Sequence, residues 1–448
     1  MRGCVSSENG SVKIGVTSAV ALVIANMIGT GVFTSLGFQL AGIRHPLAVL
    51  LLWVLGALAA LCGAMVYGEL GASMPRSGGE YQYLSKAYHP SIGFLSGWVS
   101  VFVGFPAPIA LSAMAFGAYF SAVAPVASAG ILAVAALVCL TLIQCTGVKI
   151  GAAFQNVCST LTIILIVLFS VCGLFFSRKL VPVPLAVNMN LLRDIASPAF
   201  AVSLVYVSYA FSGWNAAAYI AGEIDRPQKN LPLVLLAGTG LVALLYLLLN
   251  YTFLATATVA ELAGQIDVGY ISAGNIFGPR GRDIAGCIIS ALLVSSISAF
   301  VFVGPRITQV MGEDHRLLRF FSRRTTRGVP LPAMLLQTFI SLIMIATSSF
   351  ETVLIYVGFT LNLCTFLAVL GVFVCRKRFP DMPRPYKTWG YPFVPLIFLV
   401  IMGWNLIYLL VERPLASTAG LAVMLLGLGL YFLSMKLCPA MESGKEII

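Results

Sequence analysis

The chain has 448 residues, 59% of them hydrophobic and 10% charged, with a net charge of +11 and a mean hydropathy of +0.96. Soluble domains carry roughly a quarter charged residues, so 16 acidic and 27 basic side chains cannot solvate a globular surface of this size, and a water-soluble enzyme is excluded. Glycines and prolines without period and ten dilute cysteines also exclude collagen, disorder and a disulfide-stapled scaffold, which leaves an all-α polytopic membrane protein.

A helix needs about 20 apolar residues to cross about 30 Å of hydrocarbon. In chain order, apolar stretches fall at about 14–42, 46–73, 91–124, 129–147, 150–176, 198–222, 231–258, 283–311, 331–349, 352–375, 393–412 and 415–436. These twelve transmembrane helices leave no room for a separate soluble domain. The first runs on without a small-residue cleavage site and reads as a retained span. Alternation from the N terminus puts 20 of the 27 Lys and Arg residues on one side; only Arg44, Arg178, Lys179, Arg193, Arg280, Arg282 and Arg413 fall on the other. The positive-inside rule then places both termini in the cytoplasm of a multi-pass protein of the cell's inner membrane. The bases sit in separate short loops, so the net charge records topology, and nucleic acid is not an expected partner.

No catalytic or metal-binding constellation stands out. Most cysteines, among them Cys62, Cys139, Cys364 and Cys375, fall in or at the ends of apolar spans, where a thiol acts as a small hydrophobe. No C-x-x-C pair occurs, and His45, His89 and His315 lie in separate loops. Neither paired acids nor a Ser/His arrangement is found at membrane depth, so no enzyme activity, metal or cofactor is expected.

Two spans carry helix-poor patches near their middles. Span 1 reads Met27-Ile28-Gly29-Thr30-Gly31-Val32-Phe33, and span 6 reads Tyr209-Ala210-Phe211-Ser212-Gly213-Trp214-Asn215. Either patch alone suits close helix packing. If spans 1–5 and 6–10 are two repeats, however, the patches occupy the same place in each, the pattern that marks the binding site of an inverted-repeat transporter. An unwound turn offers N–H groups to an anion at the start of one half-helix and C=O groups to an ammonium at the end of the other. A zwitterion such as an amino acid fits two such breaks without charged side chains. Glu69 and Glu223, the main acids near apolar segments, lie close to span ends, where an acid that pairs with a loop base is the plainer reading.

Ile28-Gly29-Thr30-Gly31-Val32-Phe33 resembles the G-[ST]-G-[IV]-F motif of the amino acid–polyamine–organocation permeases, and the likeness extends to their L-type amino acid transporter-like members. The stretch Glu69-Leu70 through Pro75-Arg76-Ser77-Gly78-Gly79-Glu80-Tyr81-Gln82-Tyr83 is similar to the E-L-x-x-x-x-P-x-S-G-G-x-Y-x-Y of that family. The run from Ser212 to Glu223, Pro227, Asn230 and Pro232 resembles its sixth helix and following loop. The resemblance implies a leucine-transporter-like fold of two inverted five-helix repeats plus two C-terminal helices. It divides the chain into a cytoplasmic tail (1–13), a first repeat (14–176), an extracellular loop (177–197), a second repeat (198–375), a cytoplasmic loop (376–392), helices 11 and 12 (393–436) and a cytoplasmic C-terminal tail (437–448).

Carried over residue by residue, the resemblance implies that a substrate carboxylate meets the N–H groups around Thr30 and Gly31 and the Thr30 hydroxyl. The ammonium would meet carbonyls of Met27, Tyr209 and Ser212, with Gly213, Trp214, Asn215 and Phe105 around the pocket. Each has a plainer role open to it: Trp214 as packing, Asn215 as interhelical glue, Gly213 as a point of close approach. The loop from Pro75 to Tyr83 reads as a gate or folding element without substrate chemistry. Some members place a lysine in span 5 where Thr162 stands, so no charge replaces a sodium ion there; Ser295 and Ser296 in span 8 offer hydroxyls to such an ion or bond their own backbone. The arginine of the family's arginine-to-D-G pattern appears as Arg306, but with Asp314-His315 the usual glycine is missing.

The resulting expectation is a secondary active permease for neutral or weakly polar amino acids, because the pocket holds no acidic side chain to neutralise a second positive charge. It works by alternating access, with proton symport or exchange, in the lipid bilayer as a monomer or homodimer. A polyamine or cationic amino acid exchanger, a channel and a non-transporting scaffold are the alternatives.

Overall fold

The computed structural model describes residues 13–177, 180–184, 186–265, 268–278, 281–347, 350–412 and 414–437. Apart from residues 13 and 437, the two tails lie outside the described residues, as do Arg178, Lys179, Arg280 and Arg413.

Apolar runs become helices, and prolines start many of them, since the missing N–H costs nothing at the first helical position. The chain forms α1 (Val16–Met27), α2 (Thr30–Gly42), α3 (Pro46–Ser73), α4 (Glu80–Ala87), α5 (Pro90–Val99) and, after a π-helical turn at Ser100–Gly104, α6 (Pro106–Val123). It continues through α7 (Ala129–Cys145), α8 (Val148–Phe176), α9 (Met189–Ile195), α10 (Pro198–Ala210), α11 (Ala216–Tyr219), α12 (Pro227–Thr256), α13 (Val259–Leu262) and α14 (Val268–Phe277). The remainder is α15 (Gly281–Val303), α16 (Pro305–Asp314), α17 (Leu331–Thr347), α18 (Phe350–Arg378), α19 (Phe393–Glu412) and α20 (Pro414–Leu437). Among the described residues there is no strand, only a bridge between Ile14 and Ile224.

Among the described residues eight helical segments are long and apolar enough to cross a membrane, or nine if α9 and α10, bent by 64°, count as one; α7, α17 and Gly420–Lys436 are shorter apolar helices. The sixth expected span falls short for a physical reason: its regular helix stops at Ala210 and resumes only as a four-residue turn at Ala216. The expected loop at 177–197 contains α9, whose start is capped by the Asn188 side chain accepting from the Leu191 N–H.

The core is one large apolar cluster with two smaller ones around Val103 and Tyr209 and around Phe359 and Leu409; α3 lies along α12, α6 along α15, and α1 against both α12 and α8. Side chains on the outer sides, such as Leu142, Leu168, Val400 and Leu426, are exposed, as lipid-facing positions should be. Contacts between connectors sort them into two ends. At one end Lys13 donates to the Gly222 carbonyl, Arg76 pairs with Asp314, Arg306 with Glu223, Arg376 with Glu69, and Arg327 donates to the Thr146 carbonyl. At the other, the backbone N–H groups of Arg44 and His45 donate to Asp194 at 3.0 and 2.7 Å.

Candidate functional site

The first helix break is where the glycines predict it. α1 ends at Met27, Ile28 and Gly29 leave helical geometry, and α2 starts at Thr30. The first N–H groups of α2, from Thr30 onward, therefore have no partner within their own helix. The second break runs through Phe211–Asn215 and turns at Gly213, whose φ of +96° is a backbone conformation that glycine adopts without strain.

The two breaks touch. A Cβ on Gly31 would stand 2.5 Å from the Ala210 Cα, and a Cβ on Gly213 would stand 2.5 Å from the Asn26 carbonyl oxygen. Close approach and unwinding coincide at Gly213, whereas Gly31 makes its close approach from the first turn of α2. One hydroxyl ties the junction: Tyr246 of α12 shares its single proton between the carbonyls of Met27 and, at 2.9 Å, Ala210, the last residues of α1 and α10. The Tyr209 carbonyl accepts from the Ser212 N–H at 2.9 Å.

Beside the junction lies a cavity of about 60 Å³, lined by Asn26, Glu80, Ser100, Phe105, Ser212–Ala216, Tyr219, Phe300, Asn362 and Phe398 among others. Ligand pockets usually run to about 300–1,000 Å³, so this one holds a few water molecules and is contracted relative to any amino-acid-sized guest. Among the described residues the Asn26 side-chain oxygen has no hydrogen-bond partner, while its nitrogen donates to the Leu22 carbonyl.

Of the residues expected around a substrate, Phe105, Ser212, Gly213, Trp214 and Asn215 line this cavity. Met27, Thr30, Gly31 and Tyr209 stand at the junction instead; the Thr30 hydroxyl lies 3.5 Å from the Tyr209 hydroxyl. Trp214 combines both of its readings, lining the cavity and packing edge-on to Tyr67 with ring centroids 4.6 Å apart. Asn215 does too, because its amide donates to Glu80 at 2.8 Å.

Glu80 corrects two expectations. The loop from Pro75 to Tyr83 contributes a side chain to the cavity lining, and the cavity does contain an acid. Gly78 and Gly79, with φ of +123° and +51°, turn the chain so that Glu80 opens α4 inside the bundle with 1% exposure. One oxygen accepts from the Tyr67 hydroxyl at 2.7 Å and from Asn215; the other accepts from the Ser96 hydroxyl at 3.3 Å. Burial pushes its carboxyl up from 4.5 to about 7, while the bonds donated by Tyr67, Ser96, Asn215 and Tyr219 pull the other way. Only the Ser-Gly-Gly turn hinted at this placement in the sequence.

Glu69 and Glu223 are loop-pairing acids. Arg376 binds Glu69 through two bonds of 2.8 and 2.7 Å, and Arg306 reaches Glu223 at 3.0 Å. Arg306 also lies over the Phe302 ring. Of the positions considered for an ion, Ser296 sits against the first break, its Oγ 2.7 Å from where a Gly29 Cβ would be and 3.4 Å from the Ser112 Oγ. Ser295 is buried on the same helix. Thr162 is buried on α8 with its hydroxyl unpartnered among the described residues, one turn beyond Ser159, which donates to the Ala21 carbonyl of α1.

A helical membrane bundle whose two broken helices meet beside a small, largely apolar cavity with a few polar groups is a permease-like arrangement. A sequence profile described as amino acid permease matches residues 14–431. The chain belongs to this family, within the amino acid–polyamine–organocation superfamily. It is 27% identical over 447 residues to the large neutral amino acids transporter small subunit 2 of Mus musculus, covering 96% of this chain and 82% of the relative. The b(0,+)-type amino acid transporter 1 of Mus musculus is 26% identical over 412 residues, with 90% and 83% covered. The Asc-type amino acid transporter 1 of Mus musculus is 26% identical over 456 residues, with 96% and 82% covered. The family and these relatives are amino acid transporters, not enzymes.

Proposed function

We propose that the protein is a secondary active transporter that moves neutral or weakly polar amino acids across the cell's inner membrane by alternating access, with proton symport or exchange. Twelve spans arranged as two inverted five-helix repeats plus two, with both termini cytoplasmic, form the frame of this reading. The observation that carries it is the meeting of the two breaks beside a cavity lined by Asn26, whose side-chain oxygen is unpartnered among the described residues. An α-amino group can take that oxygen and the carbonyl of Ser212, while a carboxylate turns to the N–H groups that open α2. The carbonyls of Met27 and Tyr209 each already accept one bond, so in this reading they add a second at most.

Glu80 favours a second reading, in which a cationic side chain enters the cavity. Against that, its oxygens already accept bonds from four neutral donors, Tyr67, Ser96, Asn215 and Tyr219, which leaves little capacity for a further cation. Uptake of a radiolabelled panel of amino acids and diamines into proteoliposomes separates the two. Neutral amino acids are expected to accumulate. Robust diamine transport without amino-acid uptake overturns the leading reading.

A further inference from the structure

Three acids, Glu69 and Glu80 buried and Glu223 partly buried, differ in one respect. Glu69 and Glu223 each bind an arginine. Glu80 pairs with no arginine, lysine or histidine among the described residues, although it is 1% exposed. A buried carboxylate without a counter-charge is stable only if its donors hold the charge or if it takes a proton. Its surroundings suit both states. Tyr67 of α3, Ser96 of α5 and Asn215 of the second break donate to the charged form. Hydroxyls rotate, and an amide presents its oxygen as readily as its nitrogen, so the same groups accept from the protonated form.

Position adds the coupling. Glu80 is held on the connector between α3 and α5, yet it bonds to Asn215, two residues beyond the turn at Gly213. The titratable groups that face it are Tyr67 from α3, Tyr83 from its own helix, Tyr219 from α11 and Cys364 from α18. Seryl hydroxyls and Asn215 complete the shell. None of these groups carries a positive charge, so Glu80 is the one member of this shell whose charge changes near neutrality.

We propose that Glu80 is a proton-binding site on the transport path, holding a proton while the cavity is closed and releasing it when water enters. This rests on the transporter reading above. In the charged form the carboxylate holds Asn215 by a charge-assisted bond and so fixes the end of the second break; protonation weakens that hold and frees the segment to move. Water entering the opened cavity removes the burial that favours the neutral form, and the proton leaves to that water. A group pushed up to about 7 is neutral below that value and charged above it, which places the switch within the ordinary pH range.

The test is the pH profile of uptake by the full-length protein in proteoliposomes, from pH 5.5 to 8.5, with an equimolar radiolabelled mixture of leucine, alanine and serine. The wild type is expected to change its rate several-fold about a midpoint near 7. Glu80→Gln should flatten the profile, and Glu80→Asp should keep one with a moved midpoint. Tyr67→Phe removes a donor that favours the charged form, so its midpoint should rise by about one unit, a shift that a purely structural role would not produce. A Glu80→Gln profile with the wild-type midpoint overturns the proposal, as does a flat wild-type profile with clear uptake. If Glu80→Gln takes up nothing, Tyr67→Phe decides: an unmoved midpoint overturns the proposal, and a raised one supports it. Absence of wild-type uptake at every pH would instead strike the transporter reading itself.

Discussion

Gly213 and Gly31 look alike in the sequence, but the structure separates what each is for. Gly213 stands at φ +96° and meets the Asn26 carbonyl, whereas Gly31 is the second residue of α2 and meets the backbone and Cβ of Ala210. Alanine at Gly213 carries two penalties: a strained backbone of about 1–3 kcal/mol and displacement of an oxygen that would lie 2.5 Å away. Alanine at Gly31 carries only the second kind. Gly213→Ala is therefore expected to lower the apparent melting temperature of the detergent-purified protein more than Gly31→Ala does. Both should depress uptake, because the junction opens in each. Equal melting temperatures for Gly213→Ala and wild type would show that the turn is not held as described. Gly31→Val, which adds more bulk against Ala210, disrupts packing and so cannot by itself report on an anion site.

At the scale of elements, the junction is stapled from outside by α12. Breaking two helices exposes carbonyls that lipid cannot satisfy, and the Tyr246 hydroxyl serves Met27 and Ala210 together. Tyr246→Phe leaves both last-turn carbonyls short of a donor, at about 1–3 kcal/mol for an unsatisfied buried group. The expected outcome is a lower melting temperature and a raised KM for uptake, since the ends of α1 and α10 are no longer held together; an unchanged melting temperature contradicts the staple. The existence of the breaks was legible in the sequence, because Gly29-Thr30-Gly31 and Ser212-Gly213 are poor helix formers inside apolar runs. The partners were not. Tyr246, Glu80 and Asn26 reach the junction from α12, from a connector and from the end of α1, and no local pattern signals a contact across 36 or 135 positions. For the same reason the sequence places no acid in the cavity, since the glycine pair that turns Glu80 inward reads as an ordinary loop.

For the whole molecule, the same contrast holds between local and distant information. Long apolar runs such as Pro46–Ser73 and Pro227–Thr256 stand where the hydropathy puts them. Along 91–124 a π-helical turn at Ser100–Gly104 departs from regular helix without ending the span, 198–222 is interrupted at Phe211–Asn215 where its helix-poor patch lies, and 283–311 passes Gly304-Pro305 with helical backbone. The ion pairs and caps between connectors divide them into two ends, with Arg76, Arg306, Arg327 and Arg376 at one and Arg44 at the other. Assigning the basic end to the cytoplasm rests on an excess of 20 over 7 in Lys and Arg, and it is open to direct measurement. Arg44 and Arg323 are both exposed, one at each end of this division. In intact cells a membrane-impermeant maleimide should label Arg44→Cys above the parent background and leave Arg323→Cys unlabelled, while permeabilised cells should label both. The reverse pattern inverts the orientation without disturbing the fold. Labelling of both sites in intact cells would mean that the two ends do not face opposite sides of the membrane, and would remove the alternating-access frame along with the orientation.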